Sequence, residues 1–158
     1  MINYYWRKCI LQSILLSTIT TNNNWGGSYL ESKGNDKNYM IVTNNPKVKD
    51  EHSNIYFING TVEDVFCFVR KELHEGEKLL THPLSASLKM LHSPYRSIVI
   101  SKDNNKMDIM SIELIENSIL KYKQHTDGRM VDVKNEKDYS FIDSTLLNSA
   151  CEELLSFI

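Results

Sequence analysis

Residues 61–76 read Thr-Val-Glu-Asp-Val-Phe-Cys-Phe-Val-Arg-Lys-Glu-Leu-His-Glu-Gly. Val62, Val65, Phe66, Val69 and Leu73 recur at spacings of three and four, which draws one apolar stripe along a helix. Thr61 can cap its start, with Asp64 in the position of the capping-box acid, and Gly76 is a natural stop. Short apolar runs flank this helix. Ile55 to Ile58 precedes it and closes at Asn59-Gly60; Lys78 to Thr81 follows it. A helix between two strands is the crossover that parallel neighbours require. That reading sets the fold class.

Working outward, Tyr39 to Thr43 is β-branched and apolar and ends at Asn44-Asn45-Pro46, so it reads as a buried strand. Residues 47–54 are polar and suit a surface loop or a short helix. Ser97 to Ser101, Ser-Ile-Val-Ile-Ser, is the fourth strand candidate. A second helix begins at Asp108 or Ser111, with Ile112, Ile115, Ile119 and Tyr122 on one face. A last helix starts near Phe141 or Ser144, with Leu146, Leu147, Ala150, Leu154 and Leu155 as its core stripe. The expected fold is α/β: a small, mostly parallel sheet of about four strands with helices packed on it.

The first 39 residues differ in character. They contain Asn22-Asn23-Asn24, Trp25-Gly26-Gly27 and a polar run from Ser32 to Asn38, which read as loop or disorder. Arg7-Lys8 followed by the interrupted apolar run from Cys9 to Ile19 has some signal-peptide character, but the run is too short and polar to span a bilayer. Three readings stay open: a misassigned upstream start with Met40 as the natural one, a genuine poorly ordered extension, or a targeting segment. Residues 40–158 are expected to form a single domain.

The 158 residues carry 18 Lys and Arg against 20 Asp and Glu, and from position 40 onward the counts are 14 and 18. This mildly acidic balance argues against a nucleic-acid partner or an anionic membrane surface. Cys9, Cys67 and Cys151 are far apart and odd in number, without CxxC spacing, so reduced cytoplasmic thiols are expected rather than a disulfide framework or zinc site. The five histidines show neither HxxxH nor HExxH spacing, and no metal or cofactor is expected. Phosphate-binding glycine patterns and GxSxG are missing as well.

Chemistry-bearing residues collect at strand ends, where ligands of open α/β sheets sit. After the first strand come Thr43, Asn44 and Asn45, whose hydroxyl and amides both donate and accept. After the third come Thr81, His82, Ser85 and Ser87; His82 can move a proton near neutrality. Arg96, just before the fourth strand, offers a planar fork of donors to an anion. Each has a plainer reading: Asn-Pro and His-Pro make stiff turns, and Arg96 can be solvated. This set is the expected ligand-binding surface, and no catalytic residue is assigned.

Three segments, taken together, resemble one family: Ile41-Val42-Thr43-Asn44-Asn45-Pro46; residues 78–89, Lys-Leu-Leu-Thr-His-Pro-Leu-Ser-Ala-Ser-Leu-Lys; and residues 93–100, Ser-Pro-Tyr-Arg-Ser-Ile-Val-Ile. They look like the GrdX family, from Met40 to the last helix. Ala86 stands where the family's Leu-Ser-Gly-Ser pattern has glycine. The resemblance implies a cytoplasmic accessory or regulatory protein of the glycine, sarcosine or betaine reductase system of anaerobic amino-acid-fermenting bacteria. Reductase subunits would be its partners, and it implies no established reaction. The alternative is a small-ligand enzyme or sensor that binds an anionic metabolite through His82 and the strand-end turns.

Overall fold

The computed structural model describes residues 38–102, 106–128 and 131–156. The expectations for residues 1–37 lie outside the described residues. Among the described residues three strands form the sheet: β1 (Tyr39–Thr43), β2 (Ile55–Phe57) and β3 (Ser97–Ser101). Their order is β2-β1-β3. β1 runs parallel to β2, with Ile41 opposite Ile55, and antiparallel to β3, with Thr43 opposite Ser97. Four α-helices accompany them among the described residues: α1 (Pro46–Glu51), α2 (Val62–His74), α3 (Ile109–Thr126) and α4 (Glu136–Ser156), with a 3-10 turn at Leu88–His92.

The mixed sheet corrects the expectation of about four mostly parallel strands. Residues 78–81 do lie along the free edge of β3, but antiparallel to it, and they register as a single bridge between Leu79 and Ile100. Hydroxyl groups intercept the ladder there. Lys78 N donates to Ser101 Oγ at 2.8 Å, Leu79 N to Ser111 Oγ at 3.0 Å, and Val99 N to Thr81 Oγ1 at 2.9 Å. Residues 82–96, which join this edge to β3, hold only the short 3-10 turn Leu88–His92 and no crossover helix of the kind that usually joins parallel neighbours.

β1 is covered on both faces, with Ile41, Val42 and Thr43 essentially fully buried. Alternation along the strand divides the core in two. On one face Tyr39, Ile41 and Val99 meet Val48 of α1 and Leu147 and Cys151 of α4. Toward the other, α2 packs on α3 and against β1 and β3. There Phe66 of α2 meets Tyr122 of α3 edge to face, with centroids 5.3 Å apart.

The helix read from residues 61–76 forms as expected. Thr61 and Asp64 make a complete capping box, and Gly76 takes φ +112° just beyond the C-cap. α4 departs from expectation. It begins at Glu136, and of its expected core stripe Leu147 is buried, Ala150 and Leu154 are half-buried, and Leu146 and Leu155 face outward. Its inward face is partly polar, because Asp143 and Ser144 are buried there.

Candidate functional site

β1 and residues 78–81 point the same way, since each is antiparallel to the β3 that lies between them. The turns that follow them therefore emerge at the same end of the sheet, beside the start of β3. Two strand spacings, roughly 10 Å, separate them. Arg96 enters β3 between them.

At the first turn the polar side chains point into the protein. Asn44 Nδ2 donates to Pro94 O at 2.8 Å and Gly60 O at 3.0 Å, while its Oδ1 accepts from Arg96 N at 2.8 Å. Asn45, fully buried, is the N-cap of α1: its Oδ1 accepts from Lys47 N and from Ser140 Oγ. Its Nδ2 donates to Ser140 O at 2.9 Å and Asp143 Oδ2 at 3.0 Å. Thr43 Oγ1 lies 2.7 Å from Ser97 Oγ and accepts from Asn45 N at 3.0 Å. Any ligand contact through these three side chains requires breaking protein hydrogen bonds.

Asp143 is the hub of this network. Ser97 donates to it through N at 3.1 Å and Oγ at 2.7 Å, beside the Asn45 contact. Tyr95, next to Arg96, hydrogen-bonds Glu136 at the start of α4. Partial burial and that neighbouring carboxylate push the Tyr95 phenol up to about 12.

The second turn faces water. His82 is exposed, and its Nδ1 lies 3.0 Å from Leu84 N and 2.9 Å from Leu84 O. Nε2 makes no hydrogen bond among the described residues. Thr81 and Ser85 are half-buried and Ser87 is exposed. The two turns thus share an end of the sheet, yet offer different things: saturated, buried amides on one side and an exposed imidazole with hydroxyls on the other.

Arg96 belongs to neither group. It is only 4% exposed. Nη2 donates to Met90 O at 2.9 Å, and Nε is buried without a partner. Burial pulls the guanidinium pKa down from its ordinary value, against the opposing influence of Asp143 and Tyr122.

A family model described as GrdX-like protein matches residues 40–152, which takes in both turns, β3 and most of α4. The chain belongs to the GrdX-like family. Neither the curated proteins nor the solved structures contain a significant match.

In this GrdX-like chain the residues quoted for the resemblance divide by burial. Thr43, Asn44, Asn45 and Arg96 build the strand end from inside, whereas His82 and Ser87 display the outer turn. Asp143 escaped the sequence reading because it sits in a helix with an ordinary charged pattern. The buried face of that helix also carries Ser140 and Ser144, and this polar stretch at core spacing was its only signal. Cys151 is buried in the core beside Leu147, as a small hydrophobe would be. No cluster of His, Cys, Asp and Glu suited to a metal ion occurs among the described residues. No described helix is long and apolar enough to cross a membrane.

Proposed function

We propose that this GrdX-like chain is an accessory or regulatory protein of the glycine, sarcosine or betaine reductase system, and that it docks a reductase subunit along the outer edge of the sheet. One observation supports the docking surface. Leu88 is 68% exposed, Ile109 75% and Met110 79%, with Leu80 and Met107 also exposed; Leu80 lies on the edge of residues 78–81, Met107, Ile109 and Met110 at the start of α3, and Leu88 in the 3-10 turn that packs on α3. Leu79 N on Ser111 Oγ ties the start of α3 to that edge. So many large apolar side chains in water mark a contact surface. Exposed Lys78, Lys89 and Lys106 lie among them, although residues 40–158 are acidic in balance. The surface therefore suits a partner with an apolar centre and an acidic rim.

The test is retention of reductase subunits on the immobilised full-length chain, with Leu88→Asp/Ile109→Asp as the variant. Both positions are exposed, so the variant folds, and buried aspartates in the complex lower retention at least tenfold. If the unaltered chain retains no reductase subunit, or the variant retains as much, the docking reading fails.

A second reading, a sensor or enzyme for a small anionic metabolite, is favoured by the exposed ring of His82 beside Thr81, Ser85 and Ser87. The Leu84 backbone holds Nδ1, which leaves Nε2 facing solvent. Under this reading His82→Ala keeps the melting temperature of the free protein and abolishes the rise that a small anion such as acetate produces. Equal rises in both proteins would remove His82 from any such site.

A further inference from the structure

Buried charges in proteins are paired, because an isolated ion in a poorly polar interior costs several kcal/mol. Arg96 breaks that rule. Its guanidinium lies beneath the 3-10 turn Leu88–His92, on the side of the sheet where Tyr122 of α3 packs. None of the ion pairs among the described residues includes it. Asp143 influences it, but both Asp143 oxygens are taken up by Ser97 and Asn45.

The donors are arranged in a telling way. Nε and Nη2 share one edge of a guanidinium, the edge that grips a carboxylate or phosphate with two parallel bonds. Here a single main-chain oxygen, Met90 O, takes Nη2, and Nε receives nothing. Met90 O also accepts from Ser93 N at 3.2 Å, so it keeps a partner if the guanidinium leaves. The turn that carries Met90 is short and has no side-chain cap at Ser87. Short 3-10 pieces of this kind are easily reshaped.

We infer that Arg96 is the seat of a small oxyanion, closed in this state by the 3-10 turn Leu88–His92, and that the anion replaces Met90 O on the Nε–Nη2 edge when the turn lifts. This deepens the second reading by naming the ligand chemistry, a carboxylate or a phosphate. It does not depend on His82 acting, because the guanidinium is a separate group inside the protein. The exchange is favourable in kind: it trades a half-filled donor edge and a charge without an ion-pair partner for a bidentate, charge-assisted pair.

The experiment follows the Arg96 Nε–H resonance of the full chain by nitrogen-15 NMR during titration with inorganic phosphate and, separately, sodium acetate, with sodium chloride at matched ionic strength as control. The expected result is a saturable shift of that resonance with one of the two anions and none with chloride. The same anion raises the melting temperature by roughly 5–10 °C at about 100 times its Kd. Faster amide exchange in residues 88–92 with the anion bound reports the lifted turn. Arg96→Gln abolishes the melting response. Because that variant can fail to fold, the resonance in the unaltered protein stands as the primary readout. A resonance that moves with neither anion, or no more than with chloride, overturns the inference, as does an equal melting response in a folded Arg96→Gln. Which anion acts decides between a carboxylate and a phosphate ligand. His82→Ala leaves the resonance shift intact if only the His82 reading is wrong.

Discussion

Replacing Asp143 with alanine is expected to cost about 3–5 kcal/mol of folding stability, read as a fall in the urea midpoint with an unchanged slope. The substitution takes an acceptor from three donors at once. Ser97 N loses its acceptor at the start of β3, Ser97 Oγ keeps only Thr43 Oγ1 in reach, and Asn45 Nδ2 loses one of two. Each buried donor left without a partner costs roughly 1–3 kcal/mol. Arg96 loses the acidic charge that offsets its burial, so the cost spreads to the far face of the sheet. Asp143→Asn keeps one acceptor oxygen and the shape, and should fall between alanine and the unaltered residue. A loss under about 1 kcal/mol for Asp143→Ala would show that α4 is not held to the strand ends through this carboxylate.

The parts of this fold that sequence revealed are those whose cause is local. The stripe from Val62 to Leu73, the Thr61–Asp64 box and the Gly76 stop depend on neighbours a few positions apart, and they formed as written. The runs at β1 and β3 announce themselves because both faces are apolar. Strand direction was harder, since it depends on which segments meet. A helix between Ile58 and Lys78 suggests parallel pairing, but residues 78–81 pair with β3 instead, and hydroxyls from Ser101, Ser111 and Thr81 break up that ladder. No propensity rule records a hydroxyl that arrives from 18 to 32 positions away.

The candidate site divides in the same way. His82 and the hydroxyls near it were legible as a polar turn, and they face water. Asn44 and Asn45 read equally well as ligand contacts or as turn formers. What distinguishes these readings is their partners, at Pro94, Ser140 and Asp143, which lie 50 to 98 positions away. The large apolar residues of the proposed docking surface were invisible for a related reason. Leu88, Ile109 and Met110 look like core residues until the topology leaves them outside. Leu146 and Leu155 were misjudged because α4 turns Asp143 and Ser144 inward. Its buried face was chosen by hydrogen bonding to the strand ends as well as by hydrophobicity.

The change Asn45→Asp separates a structural role for this turn from a purely apolar one, because it alters charge while keeping shape. Asn45 Nδ2 sits 3.0 Å from Asp143 Oδ2, and both residues are buried. A carboxylate in that place faces another across the same gap. At an effective dielectric near 20 the repulsion is about 5 kcal/mol, enough to remove most of the stability of a small domain at neutral pH. Acid relieves it, since one proton shared between the two oxygens turns repulsion into a hydrogen bond. The like charge raises the new carboxyl's pKa in the folded state above the roughly 3.9 it has unfolded. By linkage, the stability of Asn45→Asp relative to the unaltered protein is therefore greatest at low pH. It declines as pH rises through the raised value, by at most about 1.4 kcal/mol per pH unit. Asn45→Ala loses the same amide without adding charge, and its deficit stays nearly constant with pH. Urea midpoints of the three proteins, taken from about pH 4 to pH 8, give the comparison. A widening deficit for Asn45→Asp beside a flat one for Asn45→Ala is the expected pattern. If the two deficits run parallel, Asn45 and Asp143 do not meet in a buried contact, and the turn after β1 is held by some other means.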